Sequence, residues 1–219
     1  MRNTFLTLAA LLVLPALASA AEPAPAKDSG LPWKSLFDGK TLADWKSTNF
    51  GGEGDAEVEK GLLILQMGEP LTGVTFQDPK KLLKTNYEIS LEAMRVQGTD
   101  FFCALTFPVR EKEYCSLIIG GWGGGTCGIS SIDGMDASEN ETSTFQELKS
   151  NKWYKVRVAV TNEKLQSWLD DEKIVDVNIK DRKIHTRIEV DLSQPLGISA
   201  FRTKAAIKDI KIRPLAEKK

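Results

Sequence analysis

Apolar and polar positions alternate along much of the chain with the two-residue period of a half-buried strand. From Tyr87 to Met94, the residues Tyr87, Ile89, Leu91 and Ala93 fall on one side, and Glu88, Ser90 and Glu92 on the other. From Trp153 to Val160, Trp153, Lys155, Arg157 and Ala159 oppose Tyr154, Val156, Val158 and Val160. Phe101 to Val109 is almost wholly apolar, the pattern of a strand covered on both faces. Tyr114 to Ile119 follows it after the polar turn Arg110-Glu111-Lys112-Glu113. Gly61 to Leu65, Leu165 to Leu169, Lys173 to Ile179, Leu196 to Phe201 and Ala206 to Ile212 complete the set. These runs are short, rich in branched and aromatic residues, and separated by Gly, Pro, Asn or Asp, which predicts an all-β sandwich or barrel. Pro79 to Leu83 and Thr144 to Lys149 each predict a single helical turn. No window carries apolar residues at helical spacing over three turns.

The N-terminus departs from this pattern. Arg2 precedes an apolar run from Phe5 to Leu17, and Ala18-Ser19-Ala20 is a small-x-small cleavage site. The run is shorter than the roughly 20 residues of a membrane span. Residues 1–20 are therefore expected to be a signal peptide, 21–32 a flexible Pro/Ala/Lys linker, 33–215 one β-sandwich domain and 216–219 a tail. Export to the periplasm or the extracellular space follows, with no membrane span after cleavage. Lys and Arg total 29 against 30 Asp and Glu, a balance that gives no argument for a nucleic-acid partner. Cys103, Cys115 and Cys127 are spaced twelve residues apart. Export permits one bridge between neighbouring strands, and the other reading is three small buried hydrophobes. A zinc site is poorly supported, because there is no C-x-x-C pair and His185 is the one histidine.

Residues 36–45 read Leu-Phe-Asp-Gly-Lys-Thr-Leu-Ala-Asp-Trp. Asp38-Gly39 is a turn dipeptide: Asp bonds its own backbone two residues on, and Gly accepts a positive φ. Leu36, Phe37, Leu42 and Trp45 are placed to anchor that turn in a core. The run resembles the opening signature of the 3-keto-disaccharide hydrolase family. The meander over residues 153–177, and the tail segments Pro195-Leu196-Gly197-Ile198 and Ile207 to Arg213, are similar to later strands of lectin-like sandwiches. The resemblance implies a jelly-roll β-sandwich of the concanavalin A-like lectin/glucanase type and an oligosaccharide or glycoside as partner. It further implies cleavage of a glycosidic bond in a sugar oxidised at C3. Two patterns usual in that family, Asn-Ser-Gly and Glu-x-Gln in the central strands, are replaced here by Gly98-Thr99-Asp100-Phe101 and Glu113-Tyr114-Cys115-Ser116. No catalytic residue therefore transfers by motif.

Candidate chemistry concentrates in residues 98–147. Gly120-Gly121-Trp122-Gly123-Gly124-Gly125 lacks the Gly-Lys-Ser/Thr ending of a phosphate loop. Gly121 and Gly123 let the backbone approach a ligand, and Trp122 offers a flat platform for a sugar face. The other reading is a hairpin turn with Trp122 folded onto the core. Arg110 is a candidate to grip substrate. Asp100 and Glu113 are candidate acid/base carboxylates, and His185 is a further candidate because imidazole is the side-chain type suited to acid/base work near neutral pH; charged-turn and structural readings stand beside them. Asp133 and Asp136, in a polar loop, are candidate ligands for a divalent cation such as calcium, against a solvated loop. Asn140-Glu141-Thr142 fits a glycosylation sequon. The expected function is an exported carbohydrate-active protein. The alternatives are a non-catalytic carbohydrate-binding module and a structural envelope protein.

Overall fold

The alternating run that starts at Tyr87 becomes β6 (Tyr87–Gly98), in the middle of the larger of two antiparallel sheets. The computed structural model describes residues 31–216. The expected leader, most of the linker and the end of the tail lie outside the described residues. On one side β6 pairs with β11 (Trp153–Val160), and on the other with β15 (Thr203–Pro214). The meander extends this sheet through β12 (Lys164–Leu169) to β13 (Glu172–Asn178). On its other flank stand β4 (Leu62–Leu65) and β3 (Ala56–Glu59), with β1 (Lys34–Ser35) also on β15.

The second sheet runs in the order β10 (Thr144–Phe145), β9 (Thr126–Ser130), β8 (Glu113–Gly121), β7 (Cys103–Arg110), β14 (Gly197–Phe201), β5 (Leu71–Phe76) and β2 (Trp45–Ser47). The two sheets share one apolar layer, in which Tyr87, Ile89 and Leu91 of β6 meet residues such as Leu105, Phe107 and Leu117. This is a jelly-roll β-sandwich, as the periodicity and the family resemblance led one to expect.

Three local differences have physical reasons. Thr144–Phe145 is a strand rather than a helical turn, because Thr144 and Phe145 pair with Cys127 and Thr126. The fully buried β5 was hidden by Thr72, Gly73 and Thr75, which break any apolar run. Most informative is Glu88, on the side of β6 that alternation assigns to solvent yet only 3% exposed. Its Oε2 accepts from Arg213 Nη2 at 2.6 Å and Nε at 2.7 Å, and its Oε1 from Arg157 Nη1 at 2.5 Å. Arg157 lies 3.5 Å from the Trp168 ring centroid and Arg213 4.2 Å from that of Trp33. Charge pairing and indole stacking together roof over the outer face of this sheet. The turn after Pro79 forms as expected, as a short 3-10 turn capped by Asp78.

The Asp38 turn has the predicted chemistry. Asp38 Oδ1 accepts from Lys40 N at 2.8 Å and Thr41 N at 2.9 Å, and those bonds hold the carboxyl below its usual range. Trp45 donates Nε1–H to Leu36 O at 2.8 Å and packs edge-on against Phe76. Leu36, Phe37 and Trp45 are buried, so the motif pins the first strand of the second sheet. Cys103, Cys115 and Cys127 are free, buried thiols. Burial pushes Cys103 up to about 12 and Cys127 up to about 11, and raises Cys115 as well.

Two outcomes follow. Glu88→Ala leaves two shielded guanidinium groups uncompensated and is expected to cost about 3–5 kcal/mol of unfolding free energy, read from the urea midpoint. The three thiols are expected to resist a disulfide reagent at pH 8 in the folded protein and to react in denaturant. Because the unfolded chain ionises its thiols near about 8.5 and the folded chain only well above that, the thiols' contribution to stability falls as pH rises past that value. A urea midpoint that drops between pH 8 and pH 10, and drops less in Cys103→Ala, checks the sign.

Candidate functional site

The face of the second sheet that points away from the core is built of small residues. Ala104 and Thr106 on β7, Ser116 on β8, Gly128 and Ser130 on β9, and Gly197 and Ser199 on β14 share that face. All are buried, because two segments cross over them. Residues 131–143 form a loop pinned by Asn140, whose Nδ2 donates to Ile129 O at 2.7 Å and whose Oδ1 accepts from Thr142 N at 2.9 Å. Asn140 is 5% exposed, so the sequon is a structural lock with no room for a glycan. Residues 182–195 form a strap, bound through Ser131 N to His185 O at 2.7 Å, Asp133 N to Lys183 O at 2.8 Å, and Thr75 Oγ1 to Leu192 O at 2.9 Å. A Cβ on Gly197 would come within 2.5 Å of Ser193 O, so glycine is needed for the strap to lie this close.

The strap separates two cavities. The first, about 240 Å³, has walls of Leu71, Phe101, Ile118, Trp122, Val190 and Phe201, with Asp100, Ser116, Ser130, Arg187 and Glu189 as its polar groups. The Phe101 and Phe201 rings are 5.6 Å apart. Ser116 Oγ is paired with Thr106 Oγ1 at 2.8 Å, whereas Ser130 Oγ has no partner among the described residues. The second cavity, also about 240 Å³, is polar, lined by Lys112, Glu113, Tyr114, His185, Thr186, Asp191 and Gln194 beside Ile184.

Trp122 stands at the mouth of the first cavity, 44% exposed, with φ +48°. A bulky residue in the left-handed region is uncommon, and the glycines around it explain how it is held. Arg95, reaching from β6, lies beneath the loop. Its Nη2 donates to Gly124 O at 2.6 Å and its Nη1 to Leu148 O at 3.4 Å, while its guanidinium stacks 5.2 Å from the Phe102 ring centroid. A Cβ on Gly120 would approach Arg95 Nη2 to 2.6 Å, and one on Gly125 would meet the Phe145 ring at 2.3 Å. From above, Asp100 Oδ1 accepts from Phe101 N at 2.8 Å and Oδ2 from Gly123 N at 3.3 Å. The glycine run is thus a packing solution that presents one indole outward.

The candidates from sequence divide between these places. Asp100, Trp122 and the loop glycines Gly121 and Gly123 belong to the first cavity or its rim. Glu113 and His185 meet in the second. His185 Nδ1 lies 2.9 Å from Thr186 O. Arg110 serves neither cavity as a free group: it pairs with Glu113 and donates Nη2–H to Ile179 O at 2.7 Å. Asp133 pairs with Arg182 and accepts from Lys183 N at 2.8 Å, bonds that hold its carboxyl below the usual range. Asp136 pairs with Arg187 Nη1 at 2.5 Å and accepts from Ser138 N at 3.0 Å. Among the described residues no group of three His, Cys, Asp or Glu is placed to hold a metal ion. Phe101, Phe201, Arg187, Glu189 and Arg95 were missed in sequence. Phe101 adjoins Asp100 in a run that reads only as a buried strand; the other four come from remote segments, and no local spacing marks them.

Sandwiches of this kind include several solved proteins whose fold this chain shares. A glycosyl hydrolase-like protein from Parabacteroides distasonis aligns with TM-score 0.51 and 16% identity, over 84% of this chain and 94% of that one. The carbohydrate-binding module CBM66 from Bacillus subtilis aligns with TM-score 0.51 and 10% identity, over 78% and 95%. A glycosyl hydrolase family 16 protein from Mycobacterium smegmatis aligns with TM-score 0.51 and 9% identity, over 83% and 98%. None of the curated proteins compared with the chain matches it. The class is thus a lectin-like β-sandwich. More narrowly, the chain belongs to the family of 3-keto-alpha-glucoside-1,2-lyase-like domains, whose model matches residues 32–213, and so is a carbohydrate-related domain.

Arg95→Met removes the donors to Gly124 O and Leu148 O. It is expected to lower stability by about 1–3 kcal/mol. It should also raise amide hydrogen exchange over residues 120–126 while leaving β11 and β12 protected, as measured by mass spectrometry.

Proposed function

We propose that this domain is an exported carbohydrate-active protein that seats one sugar ring of a glycoside in the Trp122 cavity. On a sugar oxidised at C3, it would cleave the glycosidic bond. The observation that carries this reading is the cavity's composition: an exposed indole and two phenyl rings form apolar walls, with carboxylates at Asp100 and Glu189. Sugar rings offer apolar C–H faces to such walls and hydroxyl donors to such carboxylates. The volume of about 240 Å³ lies below the roughly 300–1,000 Å³ of drug-sized ligand sites, which favours a single ring over a chain. Family membership supports the 3-keto substrate, and the apolar leader with Ala18-Ser19-Ala20 supports export.

The chemistry asks for little. A ketone at C3 acidifies the C2 proton, so a carboxylate base starts an elimination. The C2–H electron pair forms a C1=C2 bond, the C1–O bond breaks, and the departing oxygen takes a proton from solvent. Asp100 is the base in this scheme, since its carboxylate has backbone partners but no ion-pair partner among the described residues. The second reading, a binding module, is favoured by one observation: Arg187, the cavity's guanidinium, is already bound to Glu189 and Asp136, so no free cation stands ready to polarise a ketone.

An aryl 3-keto-α-glucoside, assayed with and without divalent cation, decides between them. The lyase reading expects aglycone release, with kcat lowered about 100-fold or more in Asp100→Asn and KM raised in Trp122→Ala. Absence of turnover, together with sugar binding that Trp122→Ala abolishes, establishes the binding module instead.

A further inference from the structure

Building on the reading of the Trp122 cavity as a sugar site, we infer that the cavity sorts glycosides by charge. It accepts a neutral ring or one bearing an ammonium group, and it turns away rings that carry a carboxylate or a sulfate.

The argument is an accounting of cations around the cavity. Arg187 commits three nitrogens: Nε to Glu189 Oε2 at 3.2 Å, Nη2 to Glu189 Oε1 at 2.8 Å, and Nη1 to Asp136 Oδ2 at 2.5 Å. Arg202, 5.7 Å from the Phe201 ring centroid, gives Nε and Nη2 to Glu69 Oε1 at 3.0 and 2.5 Å. Arg95 feels the Asp100 charge from beneath the loop, but it bonds to Gly124 O and Leu148 O and is 6% exposed. The Arg187 and Arg202 charges are therefore already met by carboxylates, and Arg95 is buried beneath the loop.

Asp100 is the carboxylate left over. It is half-buried and held by two backbone N–H groups, with no ion pair among the described residues. An anionic ligand would lose its water next to this group and find no free cation in exchange, which is a like-charge juxtaposition. A hydroxyl or an ammonium group would instead donate to Asp100. An ammonium would also face the Trp122, Phe101 and Phe201 rings, whose π-faces attract cations.

The test uses titration calorimetry at pH 6 on the mature chain. Four ligands share one ring: methyl α-glucoside, methyl α-glucosaminide, methyl α-glucuronide and methyl α-glucoside 6-sulfate. The glucosaminide is expected to bind at least as tightly as the glucoside, and the two anions about tenfold or more weakly. Asp100→Asn, and as a second variant Glu189→Gln, should shrink that gap, as should 300 mM salt relative to 20 mM. Either anion binding as tightly as the glucoside overturns the proposal, as does a gap that both variants leave unchanged. If no ligand binds, the sugar-site reading itself fails. If the glucoside binds and Trp122→Ala weakens it while charge makes no difference, that reading stands and the charge proposal alone falls.

Discussion

Arg95 sits almost wholly out of water on the central strand of one sheet, beneath a loop that belongs to the other. Burial penalises its charged form and lowers its affinity for the proton. The compensation comes from two carbonyls, the Phe102 face and the field of Asp100. Such a group tolerates little rearrangement, because a displaced carbonyl would leave buried charge unmet. The loop above it must therefore be thin, and glycine at positions 120 and 124 is the only side chain that leaves room. Trp122 is consequently presented at the surface in a backbone conformation that a free loop would avoid. The site's most exposed aromatic thus depends on a contact made inside the sandwich.

The strap over residues 182–195 is the second organising constraint. It crosses a sheet face made flat by Ala, Ser, Thr and Gly, and its own backbone completes hydrogen bonds with Ser131, Asp133 and Thr75. A bare sheet face would be one long groove. With the strap in place it becomes two short cavities of different chemistry, one walled by aromatic rings and one by charged and polar groups. The division explains why Asp100 lines one cavity and Glu113 and His185 the other. It also explains the size of the aromatic cavity, which has an end where the strap begins.

How much of this was legible in the chain depends on where the determining contacts lie. Strands with one face inward carry their own signal, and Trp153–Val160 forms over the very residues that alternate. The Asp38 turn is legible for the same reason, since its donors are two and three residues away. β5 is not, because with both faces covered it has no need to alternate and takes Thr and Gly where neighbours press close. Glu88 reads as a solvent-side residue, and only the arrival of Arg157 and Arg213 from other strands buries it. In the site, Trp122 and Asp100 were visible from the glycine run and the charge near it. Phe201, Arg187 and Glu189 enter through pairings far along the chain, such as β14 on β5 and the strap on the loop at Ser131.

The Leu36–Trp45 run and the Trp122 cavity therefore answer different questions. The run lies at β2, on the edge of the second sheet, and its residues are consumed by the turn, the Leu36 carbonyl and the core. Nothing in it reaches the cavity lining. A signature of this kind fixes where a sheet begins, and a chain can keep it while loops elsewhere in the sandwich change their chemistry. Here those loops carry Asp100, Trp122 and the strap, and the patterns usual in the family's central strands are replaced at Gly98–Phe101 and Glu113–Ser116. The family label is secured by the scaffold, whereas the proposed sugar site is assembled by Arg95 from below and the strap from above. On the proposed reading, a change of ligand preference calls for substitutions in the cavity lining and its two supports, not in the motif that identifies the family.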